Sequence, residues 1–104
     1  MKSKVWVALI ASATCLMSVQ VRADEALAKS KNCLSCHAMD KKVVGPAFKD
    51  IAKKYAGDAK AADALAAKVI KGGSGVWGPV PMPANAQVSA AESKKLVTWI
   101  LSAK

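Results

Sequence analysis

At 104 residues, with a formal net charge of +9 and three cysteines, the chain has room for one small domain and little more. The basic balance does not point to nucleic acid, because the lysines are scattered and form no basic–aromatic stripe. Two of the three cysteines lie only three positions apart, so a disulfide scaffold is not what holds so small a domain together.

The first 23 residues read as an export signal. Lys2 and Lys4 open it, residues 5–17 are apolar apart from Ser12, Thr14 and Cys15, and Val21-Arg22-Ala23 offers small residues for cleavage. The apolar core is well short of the roughly 20 residues that a membrane-spanning helix needs, which disfavours an uncleaved anchor. A lipid anchor on Cys15 is disfavoured too, since Ser12-Ala13-Thr14 lacks the leucine and small-residue run of bacterial lipoprotein signals. Cleavage after Ala23 leaves residues 24–104. It removes Lys2, Lys4 and Arg22 and lowers the charge from +9 to +6, with every remaining base a lysine.

Residues 24–34 are expected to form a short helix, acids first and lysines later as the helix dipole prefers, with Leu27 and Leu34 on one face. Then comes Cys33-Leu34-Ser35-Cys36-His37. C-x-x-C-H is the attachment signature of a c-type haem: each thiol adds across one vinyl group, and the next histidine lies under the iron. Its rivals are weaker. A thioredoxin-like pair wants a βαβ context, and no strand-rich stretch is near. A structural zinc site wants four ligands, and residues 24–104 offer only Cys33, Cys36 and His37. A plain disulfide leaves His37 unexplained.

Pro46 is expected to open a second helix, with Phe48, Ile51, Ala52 and Tyr55 at helical spacing and Gly57 as its stop. A third helix is expected over residues 59–71, with Ala62, Leu65, Ala66 and Val69 on one side and Gly72-Gly73 at its end. Residues 72–85 are a long glycine- and proline-rich loop. Pro79, Pro81 and Pro83 forbid helix, and Val76, Trp77, Val80 and Met82 argue against disorder. A rigid apolar strap across a flat cofactor fits this composition. The last helix begins at Ser89 with Glu92 at capping-box spacing and carries Leu96, Trp99, Ile100 and Ala103 as its stripe. Val88 faces Ser93 at the staple position, so the hydrophobic staple is incomplete. Trp99 and Phe48 are expected to be core residues.

The second axial ligand follows by elimination. His37 is the only histidine, so a second histidine is not available, and methionine is the remaining common choice. Met39 is two residues from His37 and cannot easily reach the opposite face of the ring, whereas Met82 has 45 residues of chain in which to wrap round it.

Several motifs together resemble the small bacterial class I cytochromes of the cytochrome c-551 type. They are the C-x-x-C-H run with Ala38, Val44-Gly45-Pro46-Ala47, Gly75-Val76-Trp77-Gly78-Pro79, Pro81-Met82-Pro83, Asn85 and Trp99-Ile100-Leu101-Ser102. The resemblance spans residues 24–104. It implies an all-α class I cytochrome c fold, four to five short helices around one covalent haem c, with the first and last helices crossed. Cys33 and Cys36 would carry the thioethers, and His37 and Met82 would ligate the iron. Pro46 would accept from the His37 imidazole, Trp77 would bond a haem propionate, and Asn85 would bond near the Met82 sulfur. Ala84 and Gln87 stand where the family commonly reads a further proline and a shorter link into the last helix, which bears on the setting of Asn85.

The implied role is that of a monomeric periplasmic one-electron carrier rather than an enzyme. It would run between a quinol-oxidising complex and terminal reductases such as nitrite reductase or an oxidase. No nucleic acid is involved, and nothing inserts in the membrane after signal cleavage. Lys41, Lys42, Lys49 and Lys71 are candidates to face acidic partners. Two other roles remain open: a ligand-binding haem protein, should Met82 not be on the iron, and an electron-entry subunit of a larger enzyme.

Overall fold

In a computed structural model, the described residues are 16–104, with side chains described from residue 23 onward. Most of the expected export signal, residues 1–15, lies outside them. Four α-helices follow in order: α1 (Leu16–Ser30), α2 (Phe48–Lys54), α3 (Ala61–Lys71) and α4 (Ala90–Leu101). A short 3-10 turn, Cys33–Ser35, sits between α1 and α2. Among the described residues no helix is long and apolar enough to cross a membrane.

Helix α4 is the centre of the domain, and α1, α2 and α3 all pack on it. Its start is set locally. The Ser89 hydroxyl accepts from the Glu92 amide, and the Glu92 carboxylate accepts from the Ser89 amide, at 3.1 and 3.0 Å. This capping box satisfies two amide donors that a helix start otherwise leaves unpaired. It also holds the Glu92 carboxyl below the usual carboxylate range, chiefly through the Ser89 amide. The missing staple is resolved in an instructive way. Val88 is buried in the core regardless, and Ser93, fully buried, turns its hydroxyl to the Ala66 carbonyl of α3 at 2.6 Å. A buried hydroxyl left unpaired would cost about 1–3 kcal/mol, so this bond stitches α4 to α3 rather than weakening the packing.

Phe48, Leu96 and Trp99 dominate the core, with Ala28 and Val88 beside them. Each large side chain is worth roughly 1.5–3 kcal/mol on burial. The remaining buried apolar positions include the small residues Ala47, Ala52 and Ala61, so the protein's own core is thin.

Several expected boundaries move. The first helix does not run to Leu34: it ends at Ser30, because Asn32 adopts a left-handed conformation (φ 65°) and the chain restarts as the 3-10 turn. Leu34 therefore leaves the Leu27 face and is exposed. Among the described residues the helix already runs from Leu16, upstream of the expected start, so Asp24 and Glu25 lie inside it rather than in its first turn. Helix α2 starts two residues after Pro46, since Phe48 and Lys49 donate their amides to the Ala38 and Met39 carbonyls. Helix α3 starts at Ala61 because Asp58 first makes a turn, accepting from the Lys60 amide at 2.9 Å. Ala103 falls beyond the end of α4, and Val97 joins the buried stripe instead.

Candidate functional site

The apolar face of α3 is only half-buried along Leu65 and Val69, and so are Ile51 of α2 and Ile100 of α4. The reason is that they do not meet protein. They line a cleft of about 350 Å³ whose walls are mostly apolar. Cys33, Cys36 and His37 line it, and so does the loop from Gly73 to Pro83, which brings Trp77 and Met82.

The histidine side is built by the chain doubling back. The His37 amide bonds the Cys33 carbonyl at 3.0 Å, which winds the C-x-x-C segment into one turn whose two cysteines both line the cleft. The amides of Val44 and Gly45 then both return to the Cys36 carbonyl, at 3.1 and 2.7 Å. This return lays Gly45 against the imidazole. His37 Nδ1 lies 2.7 Å from the Pro46 carbonyl oxygen. A carbonyl can only accept, so Nδ1 must carry the proton and Nε2 is left with its lone pair free. The proper tautomer for metal ligation is thus set by the backbone.

Two further supports escaped the reading of the sequence. Phe48 is stacked on the His37 ring at 5.1 Å, and Trp99 meets Phe48 edge-on at 5.6 Å, so the core itself backs the ligand. Gly45 is the second. A Cβ placed there would come 2.5 Å from His37 Cε1 and 2.8 Å from Nδ1. The Gly45-Pro46 pair was visible in the sequence, but what Gly45 touches is fixed only by the return of residues 43–45. Gly45→Ala is therefore expected to displace the imidazole and lengthen its bond to Pro46. The cost should be about 1–3 kcal/mol, typical of overpacking, in denaturant unfolding of the haem-loaded protein. A variant as stable as wild type would show that the ring has room to yield.

Burial pushes the Cys33 thiol up from its ordinary value, while Cys33 and Cys36 are both free and unbridged. Burial thus favours the protonated thiol over the thiolate, which is the nucleophilic form.

The methionine side hangs from the end of α3. Gly72 (φ 74°) turns the chain, and Gly73 and Met82 then exchange both backbone bonds, at 3.0 and 2.7 Å. A Cβ at Gly72 would meet the Met82 carbonyl oxygen at 2.5 Å, so the loop lies directly on this turn. The Asn85 amide bonds the Ile70 carbonyl, and Asn85 Nδ2 donates to the Val69 and Pro83 carbonyls at 2.8 and 3.2 Å. Asn85 thus fastens the loop to α3; the expected bond toward the Met82 sulfur would require it to give up one of these partners. Met39, the other methionine of residues 24–104, packs against the Phe48–Trp99 core instead.

Trp77 lines the cleft half-exposed, with Lys54 Nζ 5.5 Å from its ring centre. Val44, Val76 and Val80 are exposed around the mouth. Of the candidate docking lysines, Lys41, Lys42 and Lys71 are exposed, while Lys49 is half-buried and paired with Asp40. The residues present fit a covalent haem: one mostly apolar cleft is lined by two cysteines, by a histidine whose Nδ1 is held by the Pro46 carbonyl, and by a methionine of the Gly73–Pro83 loop.

Comparison with known proteins agrees. Residues 24–104 match the family model described as Cytochrome c. The chain is 50% identical over 99 residues to "Cytochrome c-552" of Nitrosomonas europaea, covering 95% of this chain and 96% of that protein. It is 48% identical over 105 residues to "Cytochrome c-551" of Pseudomonas aeruginosa, end to end in both. The crystal structure of wild-type Nitrosomonas europaea cytochrome c552 superposes with a TM-score of 0.75 at 55% identity, covering 77% of this chain and 99% of that one.

Proposed function

The chain belongs to the cytochrome c family, as a carrier of electrons on one covalently bound haem, and we propose that its iron is held between His37 and Met82 and that it shuttles single electrons in the periplasm. The observation that supports the ligand assignment is the cleft itself, which both His37 and Met82 line while Met39 packs against the core. Bound haem supplies reversible one-electron chemistry at the iron.

The protein's part is to keep both ligands still. Pro46 and Phe48 fix the imidazole, and Pro81 and Pro83 stiffen the loop on either side of the thioether. Ligands that do not move between oxidation states make electron exchange fast. Were His37 and Met82 both to hold the iron, no place would be left open on it for a substrate, which favours a carrier over a ligand-binding or peroxidatic role. The absorption spectrum of the purified protein, oxidised and then reduced with carbon monoxide added, tests this. A weak ferric band from a methionine–iron bond and no response to carbon monoxide support the reading; a carbon monoxide adduct would make ligand binding the function.

Export with cleavage after Ala23 completes the proposal, supported by the family match beginning at residue 24. The released domain keeps a charge of +6 once Lys2, Lys4 and Arg22 are gone. Trp77, Val76 and Val80 give the cleft mouth an apolar surface, with Lys42 beside it. Such a face suits brief docking to acidic redox proteins, quinol-oxidising complexes and terminal reductases among them. The rate of electron transfer to such a partner should fall as salt rises through the range where the Debye length shrinks below about 10 Å. A rate independent of ionic strength would remove charge steering from the account.

A further inference from the structure

Gln87 is, with Ala84, one of the two residues at which the sequence departs from the family pattern, and it lies on the leg of the loop that follows Met82. Its backbone carbonyl accepts from Lys31 Nζ at 3.0 Å. Its side-chain Nε2 donates to the Lys31 carbonyl at 3.3 Å and to Asn85 Oδ1 at 3.2 Å, so both amide hydrogens are spent. Residues 31 and 87 are 56 apart in the chain, and they clasp each other reciprocally. Lys31 stands two residues ahead of Cys33, and its ammonium also lies 3.3 Å from the Glu92 carboxylate in the α4 capping box.

The clasp therefore joins three things: the chain entering the cysteine pair, the loop bearing Met82, and the start of α4. Its chemical effect falls on Asn85. Donation from Gln87 marks one end of the Asn85 amide as the oxygen end. Nδ2 must then face the Val69 and Pro83 carbonyls, where it fastens the loop to α3. A flipped amide would set oxygen against oxygen at Val69 and release that hold.

We infer that Gln87 is a positioning residue for the methionine ligand, acting by fixing the orientation of Asn85 and tying the Met82 loop to Lys31. The inference rests on the His37–Met82 reading. It gives the added loop residue a purpose: it locks the thioether from the far side of the loop, away from the core.

The test uses the haem-loaded protein and the variants Gln87→Ala and Gln87→Glu. Glutamate keeps the length and can pair with Lys31, but it cannot donate to Asn85, so it separates positioning from simple tethering. Lys94→Ala, which breaks the exposed Lys94–Asp63 pair between α4 and α3, serves as the control for losing a surface contact. The ferric methionine–iron band is followed as pH is raised, with reduction potential and thermal midpoint measured alongside. Both Gln87 variants should favour the methionine-free form about five- to tenfold over wild type, as expected for the loss of one or two net hydrogen bonds. The band should then disappear at a pH correspondingly lower, with the potential shifted downward. Their thermal midpoints should match that of Lys94→Ala, whose band and potential stay as in wild type. Band and potential unchanged in both variants would overturn the role of Gln87 and leave Met82 as ligand. Rescue by Gln87→Glu alone would overturn the Asn85 link. No methionine band in wild type would overturn the ligand reading itself, and this inference with it.

Discussion

Met82→Ala is expected to remove the ferric methionine–iron band altogether, to open the reduced protein to carbon monoxide, and to lower the reduction potential by roughly 0.1–0.3 V. That drop is a fraction of the ~0.8 V that axial ligation spans across haem proteins. The direction follows from chemistry. A thioether is a soft ligand that favours the reduced metal, so methionine opposite histidine raises the potential. Neither a second thioether nor a second imidazole is at hand to take over. Met39 is packed against Phe48 and Trp99, and His37 is the chain's one histidine. Met82→His should restore a closed sixth position at a low potential, separating the loss of any ligand from the loss of this one. Should Met82→Ala keep both the band and its indifference to carbon monoxide, the iron is held by something else.

The second large effect is expected on removing the cofactor. The variant Cys33→Ser with Cys36→Ser, made without haem, should lose its near-ultraviolet circular dichroism and show no cooperative thermal transition. The cleft amounts to about 350 Å³ of space with apolar walls. At ~24 cal/mol per Å³ an empty cavity of that size would forgo ~8 kcal/mol. This is an upper figure, since an open cleft can collapse or admit water. It is still comparable with the whole stability of a domain, about 5–15 kcal/mol. Against it stands a core of three large side chains and several alanines. Helical segments with fluctuating packing are the expected remainder. A cooperative transition within a few degrees of the haem-loaded protein would show that the polypeptide core suffices.

What the sequence disclosed, and what it withheld, divides along a physical line. The C-x-x-C-H run, the proline-flanked methionine and the capping box of α4 are local patterns in which each residue's chemistry depends on near neighbours. They could be read directly. The stripe of Leu65 and Val69 was legible as apolar, but not as the wall of a cleft, because periodicity marks a face without saying what it meets. Gly45 and Phe48 gained their contacts with His37 only when residues 43–45 folded back onto the Cys36 carbonyl. The early end of α1 turned on the single left-handed residue Asn32, a conformation open to asparagine but not demanded by it. Lys49 looked like any surface lysine until the start of α2 brought it to Asp40. Gln87 stood out as an addition, and only its contact with a residue 56 positions away gives it work to do.

The supports of the two proposed ligands are unlike in kind. His37 leans on Phe48, which leans on Trp99, so that ligand is continuous with the core. Met82 is fastened by backbone bonds at Gly73 and by polar side chains at the surface. Variation is therefore not equally tolerated on the two sides. A change behind the histidine disturbs folding and electron affinity together, and selection sees both at once. A change around the methionine alters electron affinity while the helices stay as they are. Lineages carrying this fold can drift toward donors and acceptors of different potential by editing one exposed loop, and an engineer seeking a graded set of carriers on one scaffold would begin there.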